Sequence, residues 1–163
     1  MTELYNKAFN FMLENEGGFS NHSQDKGGAT LYGVSSKFFP QVYEDLQKAQ
    51  DENEIKQILY NFYHNEFWNP LYNKINEERL AVRLFDLGVN MGKKTSVRLL
   101  QSASNVLGSS LKTDGVFGNG TLTAINVTKP YNEYIRQAES YYKGLSDFNI
   151  FGRGWINRLY REI

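Results

Sequence analysis

The sequence predicts a mainly α-helical fold with a short loop and β-hairpin region near its start. Three observations carry that expectation. Apolar residues recur at helical spacing through most of the chain, first at Leu4, Tyr5, Ala8, Phe9 and Met12. The stripes are bounded by residues that start or stop helices: Asp51, Pro70, Gly92, Gly108 and Pro130. Only the stretch from Phe19 to Val34 lacks a helical period, and there Ser, Asn, Asp and Gly dominate, as in turns.

The first helix covers Leu4 to Leu13 and gives way at Gly17-Gly18, with Glu14 and Glu16 at its C-terminal edge. Ser35 is the expected cap of a second helix through Leu46, with Pro40 in or just past its first turn. Asp51 followed by Glu54 reads as a capping-box variant. Ile55, Ile58, Leu59 and Phe62 then mark a helix to about Trp68, stopped by Asn69-Pro70. Leu80, Leu84, Phe85 and Leu87 predict a helix from Glu77 to Asn90, and Val97, Leu100, Ala103 and Leu107 another from Thr95. Gly108 serves as the C′ residue of the latter. A Gly/Asp/Asn loop over 112–120 leads to a short helix capped by Thr121, a long one opened by Pro130, and a last one beginning at Gly154.

With 163 residues the chain has room for one domain, or one domain with a small lobe. The absence of Cys excludes disulfides and Cys-based nucleophiles or metal sites. His22 and His64 lack the partner spacing of a metal site, no phosphate loop ends 115–120, and no Gly-x-Ser-x-Gly elbow occurs. Neither metal nor cofactor is expected, and nothing suggests nucleic acid. Residues 1–90 carry 8 Lys/Arg against 13 Asp/Glu, and residues 91–163 carry 10 against 5. The basic second half suits an anionic wall or membrane surface, and equally an ordinary solvated face. The N-terminal segment is broken by Glu3 and Lys7 and has no apolar core of a signal peptide. A protein of this kind is expected to be made in the cytoplasm and to need another route out.

The chemistry concentrates between Glu16 and Gly33. Two acids, a Thr hydroxyl and five glycines share this window. Glycoside hydrolysis needs two carboxyl groups facing one another across a sugar. Glu16 has Phe9, Phe11, Met12 and Phe19 nearby in sequence, an apolar wall able to raise a carboxyl pKa. The helix C-terminal dipole acts in the same direction. A solvated helix-end carboxylate is the alternative. Asp25, five residues before Thr30, fits a base with a hydroxyl that orients its water. It fits an Asx turn equally well. Tyr32 and Trp68 are candidate sugar-stacking aromatics, although core packing is the commoner use of a Trp. Asp86 and Asn90, four apart, share one helix face and either bond sugar hydroxyls or tie helix to loop.

In order along the chain, Glu16-Gly17-Gly18-Phe19, Asp25-x-Gly27-Gly28-x-Thr30-x-x-Gly33-Val34, Tyr63-x-x-x-Phe67-Trp68, Phe85-Asp86-x-x-Val89-Asn90-x-Gly92, Leu100-Gln101, Asp114-Gly115-x-x-Gly118-x-x-Thr121 and Gly154-Trp155-x-Asn157-Arg158 resemble the glycoside hydrolase family 108 muramidases, the secretion-activator and phage endolysin type. The resemblance departs at Asn21-His22-Ser23-Gln24, where the family often has an Asp-Pro turn, and at Tyr72 to Glu78. It implies a lysozyme-like, chitosanase-related helical fold, with a catalytic lobe over residues 1–90 and a peptidoglycan-binding-like lobe over 91–163 packed as one compact unit. It places Glu16 at the family's catalytic glutamate and lifts Asp25, with Thr30, to general base. The implied activity is cleavage of the β-1,4 bond between N-acetylmuramic acid and N-acetylglucosamine, and inversion, with carboxyl groups about 6.5–9.5 Å apart, is expected over retention, with about 5–5.5 Å. The implied partners are peptidoglycan glycan strands on the periplasmic wall, reached by a monomer through holin-dependent release or a secretion role. A lytic transglycosylase, a non-catalytic wall-binding module and a chitosanase are the competing readings, the last disfavoured by the basic second half.

Overall fold

The computed structural model describes residues 2–15 and 30–163, so Glu16 and Asp25 lie outside the described residues. Its elements are α1 (Glu3–Asn15), β1 (Thr30–Leu31), β2 (Val34–Ser35), α2 (Pro40–Lys48), α3 (Glu52–Phe67), a 3-10 turn (Pro70–Lys74), α4 (Glu78–Met91), α5 (Lys93–Val106), α6 (Asn119–Thr128), α7 (Tyr131–Lys143) and α8 (Phe148–Tyr160). The mainly helical expectation holds, with a single two-stranded sheet among the described residues. No described helix is long and apolar enough to cross a membrane.

The chain divides into two units, one of residues 9–68 and the other of residues 1–8 with 69–163. In the first, the expected stripe of α1 is buried at Phe9 and Met12 and that of α3 at Leu59 and Phe62, with Tyr63 buried beside them. Aromatic rings dominate this core. Phe9 meets Tyr60 edge-on at 5.1 Å, Phe39 meets Phe62 at 4.7 Å, and Phe62 meets Tyr63 at 4.9 Å. Edge-to-face pairs of this kind set the negative face of one ring against the positive edge of another. The α3 cap is as expected: the Asp51 carboxylate accepts from the Glu54 amide at 2.9 Å, and the Glu54 carboxylate accepts from the Gln50 amide at 2.8 Å.

The second unit is helical throughout its described length apart from its connections. On α4, Leu80, Leu84, Phe85 and Leu87 are buried, and α5 packs against both α4 and α7. Ser96 on α5 donates to the Leu84 carbonyl at 3.1 Å and lies 2.7 Å from the Tyr134 hydroxyl on α7, so each buried polar group is satisfied. Burial holds the phenols of Tyr72, Tyr134 and Tyr142 well above the usual tyrosine range. The Tyr72 to Glu78 stretch, which has no place in the sequence pattern, begins in the 3-10 turn. It is clamped by Asn126, which accepts from the Asn76 amide at 2.9 Å and donates to the Lys74 carbonyl at 3.0 Å.

Three boundaries differ from expectation. Ser35 does not cap α2 but pairs with Thr30 in the sheet, and the helix starts on Pro40, whose fixed φ suits a first turn. Thr121 is not a cap but a buried residue of the first turn of α6, bonded to Gln101 of α5 at 3.2 Å. The last helix starts at Phe148, six residues before Gly154. Gly152 lies inside it because a side chain there would collide with the Phe148 ring at 2.6 Å. Glycine is chosen at that position by packing, so it does not mark a helix end.

Candidate active site and its supports

The hairpin of β1 and β2 carries the described end of the Glu16-to-Gly33 window, with Thr30 paired to Ser35 and Leu31 to Val34. Its two-residue loop, Tyr32-Gly33, has positive φ at both positions, 51° and 80°. That is the mark of a type I′ turn, whose twist matches that of the strands it joins. Glycine adopts this backbone without strain, and Tyr32 does so at a cost. Tyr63 of α3 holds the turn by donating its hydroxyl to the Tyr32 carbonyl at 3.3 Å. An atom added at Cβ of Gly33 would sit 2.8 Å from that hydroxyl, so the absent side chain at 33 is what lets Tyr63 approach. Tyr63 is in turn wedged among Phe9, Phe62 and Phe67, with ring centres 6.4, 4.9 and 5.7 Å away. Thr30 therefore stands on a strand whose turn is anchored to a rigid aromatic core. Tyr63 enters the sequence reading only as a motif letter. Its signal is a phenol on the apolar stripe of α3, since a buried Tyr hydroxyl needs a partner.

Trp68 belongs to the same unit as Thr30 and Tyr32. It is the C-cap of α3, its amide donates to the His64 carbonyl at 3.1 Å, and its side chain is 7% exposed. The Tyr32 side chain is partly exposed.

Asp86 and Asn90 belong to the other unit, where the structure resolves a pattern that sequence spacing could not. Asp86 is 0% exposed. Its carboxylate receives Nη2 of Arg158 at 2.8 Å and Nε at 3.1 and 3.3 Å, with Arg83 Nη1 at 3.5 Å. Arg83, also buried, donates onward to the carbonyls of Arg158 at 2.8 Å and Arg161 at 2.5 Å, closing the end of α8. One turn further along α4, Asn90 accepts from the Tyr142 hydroxyl at 2.5 Å, and the Tyr142 ring stacks on Trp155 at 5.4 Å with 20° between planes. The motif carrying Asp86 and Asn90 and the motif carrying Trp155 and Arg158 thus meet as two rungs joining α4 to α8, one ionic and one through Tyr142.

A third cluster supports the loop over 112–118. Gln101 donates to the Asp114 carboxylate at 3.1 Å, the Val116 carbonyl at 3.2 Å and Thr121, and accepts from the Gly115 amide at 2.9 Å. The Val116 amide and the Gln101 side chain hold the Asp114 carboxyl below its ordinary value. Leu100-Gln101 and the Asp114-to-Thr121 motif are therefore one structural unit. Among the described residues no three His, Asp or Glu side chains gather as a metal site would require.

The family model described as Glycosyl hydrolase 108 matches residues 9–92, a span that contains Glu16, Asp25, Thr30, Tyr32, Trp68, Asp86 and Asn90. Among solved structures the chain is similar to that titled Structure of Brucella abortus SagA, with a TM-score of 0.70 and 24% identity over 95% of this chain and 88% of that one. At that identity the likeness speaks to the fold. No curated protein matches the chain.

Proposed function

The chain belongs to glycosyl hydrolase family 108, and from that premise, which makes it a glycoside hydrolase acting on peptidoglycan, we propose that it is an N-acetylmuramidase with Glu16 as its acid. The bond cut is the β-1,4 linkage from N-acetylmuramic acid to N-acetylglucosamine. Glu16, neutral before reaction, gives its proton to the glycosidic oxygen as the bond to the anomeric carbon breaks. Asp25 takes a proton from a water oriented by the Thr30 hydroxyl, and the water oxygen bonds to the anomeric carbon from the opposite face. The product is inverted, the outcome that in glycosidases goes with carboxyl groups about 6.5–9.5 Å apart, which leaves room for the water. Proton exchange with solvent restores both acids. The partly exposed Tyr32 contributes aromatic surface for sugar rings, whereas Trp68 is buried as the C-cap of α3. Asp86 serves by holding Arg158.

The observation that supports this reading is the family match over the whole glycine-rich window, together with a Thr30 strand anchored by Tyr63. The proposed place of action is the periplasmic wall. The test is digestion of purified Gram-negative sacculi by the parent protein, Glu16→Gln and Asp25→Asn, with mass spectrometry of the fragments. The expected result is reducing muramic ends from the parent and a rate lower by about a hundredfold or more for Glu16→Gln, as for loss of a general acid. Anhydromuramic ends would mean transglycosylation instead, and equal clearing by Glu16→Gln would remove Glu16 from the mechanism.

A further inference from the structure

A cavity of about 550 Å³ opens on the second unit, between the start of α4, the first half of α7 and the chain beyond Leu159. Its volume lies in the range of small-ligand sites. Three arginines line it, Arg79, Arg136 and Arg161. Its apolar surface comes from the buried Ile135 and Leu159.

Arg79 and Arg136 are held in place without being used up. The Arg79 guanidinium lies over the Tyr131 ring, 4.1 Å from its centre, and donates through Nε to Glu77 at 2.5 Å. Stacking occupies the face of the ion and leaves its Nη edge free to donate. Arg136 gives Nε and Nη2 to one oxygen of Glu133, at 2.8 and 2.5 Å, and keeps Nη1. These bonds also pull the Glu133 carboxyl below its ordinary value, the larger effect being that of Gln137. The wall carrying Arg161 is fixed from below, because buried Arg83 binds the Arg161 carbonyl. Glu162 also lines the cavity and supplies an acceptor for an ammonium group.

Arg79 and Arg136 are each already paired with one carboxylate, so the cavity matches single carboxylates better than a dense polyanion. Planar forks recognise carboxylates, the tyrosine and aliphatic surfaces cover a short backbone, and Glu162 meets an amine. From this we infer that the cavity binds a short peptide bearing both carboxylates and an amine, the chemistry of the peptide stems attached to the glycan. The inference rests on the reading of the substrate as peptidoglycan. It assigns recognition of the stem to Arg79, Arg136 and Arg161, residues that none of the candidate glycan contacts includes.

The test is calorimetric titration of the full chain with the synthetic tripeptide L-alanyl-γ-D-glutamyl-meso-diaminopimelate, with the same peptide amidated at its carboxyls, and with inorganic phosphate. Parent and Glu16→Gln should bind the tripeptide equally. The double variant Arg79→Gln/Arg136→Gln should bind it roughly tenfold more weakly or worse, as should the parent with the amidated peptide. The two side chains are 53% and 66% exposed, so the variant should fold, and far-UV circular dichroism checks this. Arg161→Gln, placed on a different wall, repeats the test. Absence of binding at millimolar tripeptide, undiminished binding by both variants, or phosphate competing as well as the peptide would each overturn the inference. Hydrolysis of stem-free glycan by the parent, measured in parallel, separates the two readings. Peptide binding without hydrolysis defeats the muramidase proposal alone, and hydrolysis without peptide binding defeats this one alone.

Discussion

Replacing Asp86 by Ala should destabilise the protein far more than any change at its surface. The substitution removes the acceptor for four donor contacts, three from Arg158 and one from Arg83. It leaves a guanidinium that is 0% exposed and a second that is 9% exposed without their counter-charge. Breaking a buried ion pair by deleting one partner typically costs about 3–5 kcal/mol. Two features favour the lower end here. Arg83 keeps its bonds to the Arg158 and Arg161 carbonyls, and Arg158 lies close enough to the surface to take up water. The expected loss is therefore about 3 kcal/mol, a large share of the roughly 5–15 kcal/mol that holds a domain folded. Urea unfolding followed by circular dichroism reads it directly. With a denaturant slope of about 2 kcal/mol/M, the midpoint should fall by about 1.5 M. Asp86→Asn, which keeps one acceptor oxygen, should lose less. In a double-mutant cycle, Asp86→Ala and Arg158→Ala should couple by at least about 1 kcal/mol. A midpoint shift under about 0.5 M would refute the reasoning, since it would mean that desolvation of the three ions cancels their attraction.

Other expectations bear on the hairpin, the loop and the buried phenols. Gly33→Ala should cost about 1–2 kcal/mol for left-handed backbone, and more for the contact with the Tyr63 hydroxyl. In a Tyr63→Phe background the added cost should shrink, and paired thermal melts would show whether it does. Gln101→Leu should speed hydrogen exchange at the Gly115 amide by about tenfold, as expected for loss of one buried bond, and let the Asp114 carboxyl titrate nearer its ordinary value by NMR. Burial raises the phenols of Tyr72, Tyr134 and Tyr142, which in the unfolded chain ionise near about pH 10. The stability gained by keeping them neutral is complete below that pH and is lost as pH rises above it. Urea midpoints should therefore fall beyond about pH 10, and Tyr134→Phe should make the fall shallower by up to about 1.4 kcal/mol per pH unit.

Local physics made much of this protein legible from its letters. The stripes of α1, α3, α4 and α5 repeat every three or four residues, and the Asp51 cap needs only an amide three residues on. Both signals lie within a single turn of backbone. The acid, glycine and hydroxyl window around Glu16 lies within the span that the family model matches, and its two acids lie outside the described residues. Glycine was ambiguous: Gly92 and Gly108 end helices with positive φ, whereas Gly152 sits inside α8 to admit the Phe148 ring. Tertiary structure alone decided that Asp86 meets Arg158, 72 residues away, that Asn90 reaches Trp155 through Tyr142, and that Tyr63 holds the turn at Gly33. It also gathered Arg79, Arg136 and Arg161 around one cavity. Partners so far apart leave no period in the sequence, because their pairing is set by how finished helices pack against one another and by the need of each buried charge or hydroxyl to find a partner there.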